Sequence, residues 1–284
     1  MTYIEGVEVI NWNPPQNRYM RHLNVFSACP LVPRINNFGD MLGPQIVELL
    51  LGHDRRTKDI LRINKTTKQQ SRLLTVGSVL HLARNGDTVW GSGINGKVFP
   101  YQYTWDSLDF RAVRGPLTAQ WIRDNRRGIP PSVFGDPALL LFRVGYPRPD
   151  RNPVKYATFI PNLNDEKAWC RTRGSDVISP RSSVEVILEA ISEVDIVITS
   201  SLHGLILSEL LGVPTRLVHS STETEFKYLD YLAGTGRQEI KWYSDIESAF
   251  ERDHDPDDSL DPLRYWNPEP LLSAFPFDLW GRTI

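Results

Sequence analysis

The residues best suited to chemistry are Ser200, Ser201, His203 and Gly204, gathered in one polar turn between two apolar segments. Upstream, VDIVIT (194–199) is apolar apart from Asp195, as expected of a strand covered on both faces. Downstream, Leu205, Ile206, Leu207, Leu210 and Leu211 follow a helical pattern. It ends where Gly212 offers a left-handed C-cap and Pro214 cannot extend the helix. The turn is therefore a strand-to-helix junction. In a parallel sheet such junctions lie at the carboxyl ends of the strands, where ligands bind. A helix N-terminus presents unpaired N–H groups and partial positive charge, which suits an anion. The serines can cap the helix or donate to a phosphate, Gly204 lets a ligand approach the backbone, and His203 can deliver a proton near neutral pH. The same residues also fit a plain N-cap with a histidine packed beside it, and spacing alone leaves both readings open.

Other residues offer chemistry at a distance in sequence. Asp40 follows Gly39 at the head of a helical pattern (40–51), where it can complement the first turn or act as a general base on a substrate hydroxyl. Arg111 and Arg114 precede the Gly115-Pro116 start of another helix (117–126). A guanidinium there can hold two oxygens of a carboxylate or phosphate, or can sit in a surface ion pair. Lys227 can meet the same anion as a point charge. GSGING (91–96), which contains Gly93, matches G-x-G-x-x-G literally. KVFPYQYTWD follows it and is a poor helix, so the stretch reads as a tight turn beside a cleft and no nicotinamide cofactor is expected. Trp90, Tyr101, Tyr103 and Trp105 surround this turn, where they can pack in a core or form a sugar platform.

The elements that must position these residues alternate between apolar runs and amphipathic helices, the pattern of α/β layers around mostly parallel sheets. Strands are expected near VEVINW, RLLTVGSVL, DTVWGSG and DFRAVRG. A Pro- and Arg-rich stretch, RVGYPRPDRNP, separates this region from a second one beginning at KYATFIPNLND. The expected division is residues 1–143, 144–262 and a tail, 263–284, whose apolar residues need a surface to dock on. Ser182 with Glu185 fits a capping box ahead of a helix bearing Val184, Ile187, Leu188 and Ile191 on one face. ERDHDPDDSLDP (251–262) reads as an exposed loop.

A chain of 284 residues with net charge −2 carries no general attraction to nucleic acid, and the basic clusters Arg55-Arg56 and Arg123–Arg127 read as solvated faces. Two cysteines, Cys29 and Cys170, form neither a disulfide framework nor a metal spacing, so a reducing compartment is expected. The six histidines include no i, i+4 pair, and no metal site is expected. Neither a secretory signal nor an apolar run of membrane-spanning length is read.

SSLHGLILSELLGVP resembles the S-x-H-G-x-x-x-x-x-x-x-G-x-P signature of the polysaccharide pyruvyl transferase family. NNFGDMLGPQIVELL (36–50), VWGSGI (89–94), FGDPALLL (134–141) and EFKYLDYL (225–232) resemble further motifs of that family, in the same order. Ser201 stands where some members carry Arg, and Asn162 follows Pro161 where many carry His. The resemblance implies two Rossmann-like domains in a GT-B-like arrangement with a cleft between them, the first domain on the acceptor side and the second on the donor side. It implies transfer of the enolpyruvyl unit of phosphoenolpyruvate to a sugar, on a polymer or a lipid-linked precursor, to give a pyruvate ketal without metal or cofactor. It also implies a cytoplasmic enzyme that can touch the inner membrane face. Asp40 and His203 would be the catalytic residues, with His203 the acid toward the donor carbon or the leaving phosphate. Asn37, Gly93, Arg114, Ser200, Ser201, Gly204 and Lys227 would bind substrate. Two alternatives stand beside it: a GT-B glycosyltransferase using a nucleotide sugar, with Glu209 as its acidic residue, and a catalytically silent binding protein of a polysaccharide assembly complex.

Overall fold

The computed structural model describes residues 2–16, 33–52, 71–125, 128–251 and 261–282. Cys29, Arg55, Arg56, Arg126, Arg127 and residues 252–260 of the acidic stretch lie outside the described residues. The first half forms one five-stranded sheet. Its strands are β1 (Thr2–Ile4), β2 (Val7–Ile10), β3 (Arg72–Leu74), β4 (Thr88–Trp90) and β5 (Asp109–Ala112), hydrogen-bonded in that order. Strands β2 to β5 run parallel, and β1 is an antiparallel edge strand. That edge was not anticipated. Glu5 and Gly6, both at positive φ, make the two-residue turn that folds β1 back on β2.

The second half forms a separate, wholly parallel sheet of β6 (Lys155–Ile160), β7 (Val194–Thr199), β8 (Thr215–Val218) and β9 (Trp242–Tyr243). Strand β7 pairs on both edges, and Ile196, Val197 and Ile198 are buried, which explains its apolar sequence.

Helices α1 (Phe38–Leu50) and α2 (Pro116–Asn125) belong to the first half. The second half holds α3 (Glu166–Arg173), α4 (Val184–Ser192), α5 (Leu202–Leu211), α6 (Phe226–Gly234) and α7 (Ile246–Phe250), and α8 (Glu269–Ser273) lies in the tail. Helix α4 buries Val184, Ile187, Leu188 and Ile191, as its period requires. Its N-cap is one residue later than the capping-box reading. Ser183 is extended and accepts from the Val186 N–H, whereas the Ser182 N–H is taken by the Ser179 carbonyl.

One apolar core runs through both halves, joining Phe38, Leu42 and Ile46 of α1 to Ile187 and Ile191 of α4 and to Leu205 of α5. Helix α1 thus packs on α4, and α2 packs on α6. The tail returns to the first sheet. The Trp90 indole donates to the Leu271 carbonyl at 2.8 Å, the Trp280 indole to the Ile4 carbonyl at 2.9 Å, and Arg282 to the Leu51 carbonyl at 2.7 Å. The Phe275 ring meets Trp90 edge to face.

Candidate active site

A pocket of about 360 Å³ opens where segments from both sheets meet. Its walls follow the carboxyl ends of strands. Trp12 comes after β2, Ser78 after β3, Asn95 and Lys97 after β4, Asn162 after β6, His203 after β7, and Glu223 and Lys227 after β8. Asn37 and Asp40 at the head of α1 complete it. Parallel strands all deliver their ends to one edge, which is why residues so far apart in sequence converge here.

The histidine turn is held by its own polar groups. The Ser201 hydroxyl caps α5 by accepting from the Gly204 N–H at 3.3 Å, and Gly212 closes the helix at φ +70°. The Thr199 hydroxyl donates to the Ile160 carbonyl and accepts from the Ser201 N–H, tying β7 to β6. Ser200 is fully buried. It donates to Asp165 at 2.8 Å and accepts from the Asn162 N–H at 2.9 Å. The N–H groups of Leu202 and His203, at the first helical positions, have no helical partner by geometry and belong to residues on the pocket wall.

His203 projects from this turn against α1. A Cβ placed on Gly39 would come within 2.2 Å of the His203 Nδ1, so only glycine lets the imidazole lie there. On its other side the His203 Nε2 faces the Asp136 Oδ2 at 3.7 Å. Both atoms are buried and neither has a hydrogen-bond partner. The other oxygen of Asp136 accepts from the Ala138 N–H, capping a single 3-10 turn at Pro137–Leu140. Asp136 was missed in the sequence, although the FGDP pattern carried a signal. An aspartate directly ahead of a proline-led turn caps it with one oxygen and leaves the second free.

Asp40 sits at the pocket wall beside Asn37, whose Nδ2 donates to its carboxylate at 3.0 Å. Pro44, four residues on, withdraws the N–H that would otherwise bond the Asp40 carbonyl. Asp40 keeps partial contact with solvent through the pocket, yet the protein around it pushes its pKa up to about 6. His203, Lys227 and Asn37 oppose that burial effect, and Glu223 adds to it. Lys227 is nearly buried and ion-pairs with Glu223 at 2.9 Å. Burial holds the Lys227 ammonium below its ordinary pKa, reinforced by the nearby Lys97 and Arg114 and opposed by Glu223.

Asn37, Asp40, Ser201, His203 and Lys227 are thus brought together on one pocket wall. Other expected site residues support the site from behind. Arg114 is completely buried; it pairs with Asp230 at 3.0 Å and donates to Ser78 and the Ile94 carbonyl. Asp230 also accepts from the Thr118 backbone and hydroxyl. Gly93 lies against the Arg114 guanidinium, 2.5 Å from where a Cβ would sit, and Gly204 likewise against the Thr199 hydroxyl at 2.4 Å. At both glycines a Cβ would collide with these neighbours, so close packing calls for glycine there. Arg111 ion-pairs on the surface with Asp109 and Asp278. Glu209 is buried in a pair with Arg237 and accepts from the Tyr231 hydroxyl, away from the pocket. Of the four aromatics, Trp90, Tyr103 and Trp105 are core residues, and only Tyr101 is exposed, stacked on Phe99. GSGING is followed by a 3-10 turn at Pro100–Gln102 rather than a helix. Among the described residues no cluster of His, Cys, Asp and Glu could hold a metal ion, and no helix is long and apolar enough to cross a membrane.

The model of the family described as polysaccharide pyruvyl transferase matches residues 37–221. That span holds every pocket residue named above except Trp12, Glu223 and Lys227. A curated relative, the succinoglycan biosynthesis protein ExoV of Rhizobium meliloti (strain 1021), is 28% identical over 211 residues. The match covers 70% of this chain and 62% of the relative, so the chain spans less than two thirds of that relative's length. A solved structure, of an uncharacterised protein KP1_0663 from Klebsiella pneumoniae subsp. pneumoniae NTUH-K2044, shares 15% identity and a TM-score of 0.40, covering 70% of this chain and 84% of that one. A likeness that remote informs neither the site nor the activity.

Proposed function

Because this chain belongs to the polysaccharide pyruvyl transferase family, we propose that it transfers the pyruvyl unit of phosphoenolpyruvate to a sugar of a polysaccharide or of its lipid-linked precursor, leaving a pyruvate ketal. The two sheets are then two Rossmann-like domains, 1–143 and 144–262, in a GT-B-like arrangement. The acceptor lies on the first side, the donor on the second, and residues 263–284 return to the first. The observation that carries the reading is the convergence of Asp40, His203 and Lys227 on one pocket, beside the first N–H groups of α5.

Phosphoenolpyruvate brings a carboxylate and a phosphate. Lys227 and the helix N–H groups suit those charges, and Arg114 with its ion pair stiffens the floor beneath. His203, backed by Asp136, gives a proton to the methylene carbon of the donor or to its bridging phosphate oxygen. In the first case the double bond supplies the electron pair for the new C–H bond, and C2 becomes an oxocarbenium-like electrophile. A sugar hydroxyl adds to C2 as its proton passes to Asp40, which is largely ionised at neutral pH. The C2–oxygen bond to phosphate breaks with its electron pair on phosphate, which takes up the proton held by Asp40, and a second hydroxyl closes the ketal on C2 as its proton passes to the now neutral His203. Every step draws on protons these residues hold, and none calls for a cofactor. The enzyme would work in the cytoplasm, at the inner membrane face where the acceptor is lipid-linked.

A nucleotide-sugar glycosyltransferase is the weaker reading, because the acidic residue it needs, Glu209, is bound up with Arg237 and Tyr231. The test incubates purified protein with phosphoenolpyruvate and a panel of aryl and lipid-linked glycosides and reads products by mass spectrometry. A pyruvylated glycoside with release of inorganic phosphate is expected. Glycosyl transfer from nucleotide sugars, with no pyruvylation on any acceptor, would overturn the reading.

A further inference from the structure

Glu223 stands between two lysines. It ion-pairs with Lys227 on one side and with Lys97 on the other, and all three line the pocket. The lysines come from different sheets: Lys97 follows β4, and Lys227 lies in α6 after β8. Lys97 lies outside the stretches that resemble family motifs.

The segment carrying Glu223 is clamped from both sides. The Thr224 hydroxyl donates to the Asn95 carbonyl at 2.7 Å, and Thr224 and Phe226 press on Gly96, which is held at φ +75°. On the other side the Ser221 N–H donates to Asp165 at 3.1 Å, and Asn164 donates to the Thr222 hydroxyl. The Glu223 carboxylate is therefore delivered to the lysines by a built loop and does not drift there as a surface side chain. Burial alone would push its carboxyl up, but Lys227 and Lys97 outweigh burial and hold it below its ordinary value.

Arg114 is matched by Asp230, and the two ammonium groups share Glu223 as their ion-pair partner, with Asp40 the next carboxylate on the pocket wall, close enough to Lys227 to feel its charge. A dianion fits that seat better than Glu223 does. We propose that Lys97 and Lys227 form a seat for a phosphoryl dianion and that Glu223 is its resting occupant, displaced when the ligand binds. This rests on the pyruvyl-transferase reading for the identity of the donor, but the seat itself is defined by charge. The same chemistry serves the phosphoryl group of phosphoenolpyruvate and the free phosphate released from it. A competing internal carboxylate weakens the hold on both, and so speeds release of the product anion.

Isothermal titration of the full chain with inorganic phosphate and, separately, with phosphoenolpyruvate tests this without turnover. Glu223→Gln keeps the shape and removes the charge; it is expected to bind inorganic phosphate roughly tenfold tighter. Lys97→Gln, at a half-exposed position, is expected to bind it roughly tenfold weaker, with a shallower dependence on salt. Tighter binding of phosphoenolpyruvate than of phosphate assigns the seat to the donor, and equal binding assigns it to free phosphate. Unchanged or weaker phosphate binding by folded Glu223→Gln overturns the displacement, because Glu223 would then be positioning the lysines. Unchanged affinity in Lys97→Gln overturns the seat. Phosphate arms that behave as expected, beside a failed pyruvyl-transfer assay, would remove the transferase reading and leave the seat standing.

Discussion

The His203 Nε2 and the Asp136 Oδ2 face each other at 3.7 Å inside the protein, each without a hydrogen-bond partner. That distance is just beyond a hydrogen bond, and a shift of under 1 Å closes it. Once closed, the bond fixes Nε2 as the protonated nitrogen and holds the ring with Nδ1 beside Gly39. Asp136→Asn keeps the size and the cap on Ala138 but removes the charge that supports an imidazolium. Turnover is expected to fall by roughly 10² or more, with the KM for phosphoenolpyruvate within about threefold of the parent. The imidazole nitrogen shifts of His203, read by NMR, are expected to move as well. A purely structural Asp136 would lower the melting temperature and leave those shifts in place.

His203→Ala is expected to lower turnover by roughly 10² to 10⁴, the usual scale for a positioned acid. Donor affinity should fall far less, since Lys227 and the α5 N–H groups remain. His203→Asn retains a donor but cannot deliver a proton at neutral pH, so it should bind normally and stay slow. Turnover, donor affinity and melting temperature on the same preparations decide the matter. Near-parental turnover in folded His203→Asn would end the catalytic role.

Asp40 links stability to pH. Its pKa in the folded chain is about 6, above the 3.8 of an unperturbed aspartate. Between those values the folded protein binds more protons at this group than the unfolded chain does, so stability falls as pH rises through the interval. The penalty is absent below about pH 4 and complete above about pH 6. Asp40→Asn should therefore raise the melting temperature by roughly 2–6 °C at neutral pH and by nothing near pH 4. The same substitution should remove most turnover, because the base is gone. In the parent, the rate should fall about tenfold per pH unit below about pH 6. A melting temperature unchanged at neutral pH, or a rate flat through pH 6, would contradict the assignment.

Arg114 and Asp230 form a fully buried pair. Arg114→Met leaves Asp230 charged and unpaired and should cost about 3–5 kcal/mol in denaturant unfolding. Adding Asp230→Asn removes that charge but keeps an acceptor for Thr118, and should restore part of the loss. The folded double variant should bind inorganic phosphate within about threefold of the parent. A tenfold loss in that variant would show that Arg114 touches the anion directly.

Much of this site was legible because its signals were local. The change from a nearly unbroken apolar run to a helical pattern around residues 200–204 located the histidine turn, and Gly212 with Pro214 marked the end of α5. The capping box was misread by one residue because Ser182 and Ser183 are chemically alike, and only the competing Ser179 carbonyl separates them. Arg114 was visible as an arginine before a helix, but its partner, Asp230, lies 116 residues away, and no local pattern announces a pair so distant. The same limit hid the pairings of Asp136 with His203 and of Lys97 with Glu223, although the FGDP pattern marked Asp136 itself; both pairings became readable only when the two sheets brought their strand ends together. The aromatic cluster went the other way: Trp90 and Trp105 found carbonyl partners for their indole N–H groups and entered the core, where a sugar cannot reach them.

The tail's return to the first sheet governs the order in which the chain can fold. The Trp90 indole waits for a carbonyl 181 residues downstream, and the Ile4 carbonyl waits for an indole 276 residues downstream. During synthesis the first sheet is therefore made long before the tail that completes its covering, and the surface around Trp90 stays open while the second sheet is still being translated. Contacts of such long range slow folding and prolong exposure to aggregation. The second sheet, whose β6, β7 and β8 span only residues 155–218, has no such wait. The half made first is thus the half that matures last.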